Sequence, residues 1–83
     1  MMNEQEGGRT PVPLSMVPTG SIVTIKRINA GRGLMSRLSA MGLLPGARVS
    51  VVRSATAGPV VVKVLDSKVV LGRGMAHKVF VVT

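Results

Sequence analysis

The chain has 83 residues, 46% of them hydrophobic, and eleven Lys and Arg against three Asp and Glu leave a formal net charge of +8 at pH 7. That length allows one domain with a limited core, and the absence of Cys excludes disulfides and thiolate metal sites. One Phe and no Tyr or Trp are too few rings for an aromatic peptide groove or a base-stacking platform.

From the N-terminus, residues 1–13 combine Gly7-Gly8 with Pro11 and Pro13, lack periodicity, and read as a flexible tail. Its polar start, Met1 to Glu6, is unlike the basic and then apolar opening of a signal peptide. No apolar run reaches the ~18–20 residues needed to span a bilayer. These features predict a cytoplasmic, soluble protein that does not itself span a membrane. Residues 14–83 form the domain. A first strand is expected over Ser21–Ile28, and Asn29 to Gly33 form a loop.

A helix follows over roughly Leu34–Met41, where Leu34, Leu38 and Met41 recur at i, i+4 and i+7 as one apolar stripe. Gly42 falls where a helix ends in a left-handed residue, and Leu43 is placed to fold back onto Leu38. Arg37, at the edge of the stripe, is expected to cover the core with its stem and hydrogen-bond backbone carbonyls. Pro45-Gly46 forces a turn, because Pro presets φ and Gly accepts positive φ. A second strand runs over Arg48–Arg53.

Ser54–Gly58 is a loop leading to Pro59, which suits the first position of a strand over Val60–Leu65. Asp66-Ser67-Lys68 reads as a tight connection to a hairpin partner, Val69–Leu71. Gly72 to Ala76 reads as an irregular or 3₁₀ turn before the last strand, Lys78–Val82. Lys63 and Lys68 interrupt the Val-rich hairpin, where charges discourage edge-to-edge pairing, with contact to a ligand as the alternative. The β-branched runs Ile22–Ile28, Val60–Val64 and Val79–Val82 argue against a helical bundle. The fold class is therefore mostly β: a small SH3-like, partly open barrel of about five strands with one short inserted α-helix.

Reactive groups are sparse. Asp66 is the single carboxylate of the domain and His77 the single imidazole, so neither paired acids nor a nucleophilic triad can be assembled. No catalytic residue, metal site or cofactor is expected, although weak metal binding at His77 stays open. The six Met include Met1 and Met2 at the terminus, form no Met-x-x-Met cluster, and read as packing residues at Met35 and Met41. Gly31-Arg32-Gly33 and Gly72-Arg73-Gly74 each place an Arg between two Gly, an arrangement suited to a phosphate or carboxylate, or simply to a turn. Arg32 and Arg73 are the preferred exposed partner contacts, joined by Arg53 and Lys78. Such a charge balance attracts polyanions, acidic protein faces or anionic headgroups, or serves only as a solvated face.

The run Arg37-Leu38-Ser39-Ala40-Met41-Gly42-Leu43-Leu44-Pro45-Gly46-Ala47-Arg48-Val49 resembles the core motif of the FeoA family. Leu14, Gly20 and Ile25 before it resemble the family's opening strand; Gly58–Val62, Val69–Leu71 and Ala76, Lys78, Val79 and Val81 resemble its later strands. The resemblance covers roughly Leu14 to Val82. It implies an SH3-like barrel with an inserted helix, whose structural motif is Arg37, Leu38, Met41, Gly42, Leu43, Pro45 and Gly46. It further implies a small cytoplasmic accessory protein of bacterial ferrous iron uptake. Such a protein engages the cytoplasmic, GTPase-containing part of a ferrous iron permease, as a monomer or weak oligomer, without carrying the ion. Two other readings remain: a basic small barrel binding nucleic acid, only weakly for want of aromatics, and a regulatory domain related to iron-dependent repressors.

Overall fold

The computed structural model describes residues 10–83. Six strands form one antiparallel sheet: β1 (Val12–Pro13), β2 (Ile22–Ile28), β3 (Arg48–Ser54), β4 (Val60–Val64), β5 (Ser67–Leu71) and β6 (Val79–Val82). A 3₁₀ turn spans Leu14–Met16, helix α1 spans Arg32–Ala40, and a one-turn helix α2 spans Arg73–Ala76. The strand order β1-β6-β2-β3-β4-β5 leaves β1 and β5 as unpaired edges, so the barrel is open.

Period-two alternation turns a Val-rich sequence into a one-sided sheet. Val23 and Ile25 of β2, Val49 and Val51 of β3, Val60 and Val62 of β4 and Val79 and Val81 of β6 are almost completely buried, with Leu14, Leu38 and Leu43 closing the core. Strict alternation would turn Arg27 and Arg53 inward. The register slips between Ile25 and Arg27 and again between Val51 and Arg53. Each bulge sets two consecutive residues outside, Lys26 with Arg27 and Val52 with Arg53, and Ile28 returns to the interior. Arg27 then lies over its cross-strand partner Phe80, 4.4 Å from the ring centroid.

Helix α1 ends in a Schellman motif. The Leu43 N–H donates to the Leu38 carbonyl at 2.8 Å, and the Gly42 N–H to the Ser39 carbonyl at 2.9 Å. Gly42 has φ +90°, and a Cβ there would lie 2.9 Å from Val64 Cγ1. Conformation and space therefore both demand glycine. The next turn, Leu44–Ala47, has Gly46 at φ +95° and closes with Ala47 N–H to Leu44 O at 2.9 Å. It is strapped to β2 by Gly46 N–H to Ile25 O at 2.7 Å and Ile25 N–H to Ala47 O at 2.9 Å.

Several boundaries differ from the sequence reading. The sheet has six strands, because Val12 and Pro13 pair with Val81 and Phe80. Within the stretch read as a tail, residues 1–9 lie outside the described residues. Two residues carry no period, and Pro13 lacks an N–H, which only an edge strand tolerates. Helix α1 begins at Arg32, and its apolar side is Leu34, Met35 and Leu38. Met41, expected in the stripe, is the C-cap and is 41% exposed, since the chain leaves helical geometry at that residue. The hairpin turns on Leu65-Asp66, with Val64 opposite Ser67, and Leu65 takes φ 57° without the glycine that normally marks such a turn. Gly72–Ala76 contains the single-turn α2.

Gly42→Ala and Gly46→Ala both impose a left-handed conformation on an L-residue, at about 1–2 kcal/mol. Nothing lies within 4 Å of a Cβ at Gly46, whereas one at Gly42 meets Val64. Thermal melts should therefore show a larger loss for Gly42→Ala. Equal midpoints would remove the contact with Val64 as a cause.

Candidate functional site

Two regions gather the polar and charged side chains of this barrel. The first centres on Arg73, the opening residue of α2. Its Nε donates to Gly58 O at 3.1 Å and its Nη1 to Ser15 O at 3.0 Å, while Nη2 donates to the Ala55 carbonyl. One guanidinium thus serves three main-chain carbonyls, from the 3₁₀ turn and from the β3–β4 loop. Arg presents five donors in a planar fork, which no other side chain supplies to loop carbonyls that lack a ladder partner. His77 joins the cluster through a 3.1 Å hydrogen bond between Nδ1 and the Ser15 hydroxyl. Ser15 is buried, so the two residues flagged separately in the sequence converge on it. The N–H of Ser54 donates to Thr19 Oγ1 at 3.0 Å and ties the start of that loop to the turn before β2. A recess of about 420 Å³ opens beside Arg73, rimmed by Met16, Pro18, Ser54 and Thr56.

This arrangement corrects the reading of Arg73 as an exposed contact. It is half-buried, and its donors are committed to the main chain. The flanking glycines gave no signal of this, because the carbonyls it holds lie 15 to 58 residues away in sequence. Arg37 departs from expectation in the opposite sense. It is exposed and its side chain makes no hydrogen bond among the described residues, since backbone N–H groups of the Schellman turn already serve the Leu38 and Ser39 carbonyls.

The second region is the exposed cationic surface. Arg32 opens α1, and Lys78 accepts the Asn29 N–H on its carbonyl at 2.8 Å, so both flank the loop between β2 and α1. Arg53 lies elsewhere, in an outward row with Val61 and Val70 across β3, β4 and β5. Beside that row runs another, Ile22, Ser50, Lys63 and Lys68, in which the two lysines are directly opposite each other. A recess of about 340 Å³ near it is lined by Ile22, Arg48, Val49, Ser50, Lys63 and Leu65. Sequence reasoning gave Lys63 and Lys68 a guarding role but missed that they face each other, which depends on where the hairpin turns. Among the described residues Asp66 is the single carboxylate side chain, and none of these cations is paired with it. Nor do three of His, Cys, Asp and Glu come together among those residues. The surface is suited to holding an anionic partner.

The FeoA domain family matches residues 12–83. The chain is 39% identical over 69 residues to a protein of Methanocaldococcus jannaschii named Fe(2+) transport protein A, covering 83% of each chain. Its structure is similar to a crystal structure of an iron uptake regulatory protein (FeoA), with a TM-score of 0.82, 33% identity, and 88% and 97% of the two chains covered. It is also similar to part of a manganese-dependent transcriptional repressor, with a TM-score of 0.78, 25% identity, 90% of this chain and 42% of that one.

The Arg73 clamp generates a test of its own. Replacing Arg73 by Met should cost about 2 kcal/mol in urea unfolding, as several charge-assisted hydrogen bonds are lost at a partly exposed site. Arg73→Lys should recover only part of it, and amide exchange across residues 55–58 should quicken in both variants. A lysine variant as stable as the wild type would show that the fork geometry is unimportant.

Proposed function

The chain belongs to the FeoA domain family, and we propose that it serves ferrous iron uptake as a cytoplasmic accessory. In this reading it docks on the cytoplasmic, GTP-binding part of a ferrous iron permease and neither carries the ion nor catalyses a reaction. The observation that carries the proposal is the cationic surface, unpaired among the described residues, with Arg32, Arg53 and Lys78 exposed on it. A field of one sign steers encounter with an acidic protein face, and like fields keep copies of this chain apart. Among the described residues no helix is long and apolar enough to cross a membrane, so attachment to a transporter would run through a partner. Asp66 and His77 sit on separate elements, the β4–β5 turn and the end of α2, which favours docking over ion carriage.

With the permease's cytoplasmic domain immobilised, the chain should be captured saturably at about 50 mM salt and progressively less as salt approaches about 500 mM, where the Debye length falls below ~5 Å. Failure to bind at low salt, or binding indifferent to salt, would overturn the proposal.

A further inference from the structure

We infer that the free edge and outer face of the β4–β5 hairpin receive an extended acidic segment of a partner protein, which adds to β5 as a further strand. This rests on the accessory reading and gives it a surface. Three features of the hairpin, none required by the core, converge there.

The first is the edge itself. β5 is a terminal strand of five residues with β4 on one side, whereas the opposite edge, β1, has two. Among the described residues no backbone group of Ser67–Leu71 hydrogen-bonds to any element other than β4. Antiparallel pairing uses the N–H and C=O of alternate residues, so the others face outward and are available to an added strand.

The second feature is charge. Lys63 and Lys68 are direct cross-strand partners, an arrangement that destabilises a sheet unless an anion lies between them. Among the described residues neither has a carboxylate partner, and Arg53 continues the positive face in the neighbouring row beside Val61 and Val70. Val70 is 65% exposed, so the face is apolar as well as cationic.

The third is Leu65. It holds a left-handed φ of 57° and is 87% exposed, so it carries backbone strain without contributing to the core. With Ile22, itself 57% exposed, it borders the recess that Arg48, Ser50 and Lys63 complete. An occupant with alternating carboxylates would answer Lys68 on the strand beside it and Lys63 on the next, and an apolar side chain near its end would lie against Leu65 at the hairpin tip.

A second copy of this chain fits poorly, because edge pairing would bring one Lys68-bearing face against another. An anionic lipid surface is disfavoured by Asp66, which sits beside Leu65 at the hairpin tip.

The test is an amide NMR titration of the full chain with a blocked peptide of about eight residues alternating Glu with Val and Thr. A matched peptide with Lys for Glu and phosphatidylglycerol vesicles serve as the other arms. The acidic peptide should shift the amides of residues 67–71 and slow their exchange, and the lysine peptide should not. Lys63→Glu with Lys68→Glu should weaken binding about tenfold or more. Leu65→Gly should weaken it while leaving the melting midpoint unchanged or raised, since glycine accepts the positive φ. Equal binding of both peptides, shifts confined to another surface, or a response to vesicles alone would overturn the inference. The same variants are then offered to the permease domain. Undiminished binding there would overturn the hairpin surface and leave the accessory role standing. A wild-type chain that takes the acidic peptide but ignores the permease domain would overturn the accessory role and not the surface.

Discussion

Gly42 has room for no side chain, and much of this barrel is arranged around that fact. The left-handed residue lets α1 stop, returns Leu43 to the core beneath it, and brings the helix end against Val64 of β4. Four residues on, a second positive φ at Gly46 turns the chain into β3 while two hydrogen bonds fasten the turn to Ile25 of β2. Helix end, turn and two strands are thereby fixed by backbone geometry over a short stretch. A small core of Val and Leu, with little area to bury, depends on such local definition.

Charge is managed by devices that act at a distance. The two bulges hold Arg27 and Arg53 outside a sheet whose alternation would otherwise bury them, and Arg27 finds Phe80 as a neighbour. Arg73 works in the other direction, drawing its guanidinium in to gather the 3₁₀ turn and the β3–β4 loop. Among the described residues Arg32, Arg53 and Lys78 are exposed and unpaired, and Lys63 and Lys68 oppose each other at a cost to the sheet. Arginines and lysines of similar local sequence thus divide into a scaffold and a free surface, and only the second is available to a partner.

Most of the candidate site was illegible in sequence for that reason. Gly31-Arg32-Gly33 and Gly72-Arg73-Gly74 look alike on paper, yet Arg32 projects from the first turn of α1 while Arg73 closes two loops. The difference lies in carbonyls contributed by Ser15, Ala55 and Gly58, which no local pattern brings to notice. The opposed lysines likewise depend on a two-residue turn at Leu65-Asp66 that has no glycine or asparagine to announce it.

What the sequence by itself determined was everything set by neighbours along the chain. The β-branched alternation defined the strands, Gly42 and Pro45-Gly46 defined the helix stop and the turn, and the ordered motif from Arg37 to Val49 identified the family. These follow from dihedral preference and side-chain period, which act over a few residues. The tertiary structure alone decided the sixth strand at Val12–Pro13, the exposure of Met41, the burial of the Arg73 head group and the pairing of Lys63 with Lys68. Each of those depends on register or on donors and acceptors far apart in sequence, and such partners exist only once the sheet has folded over its core.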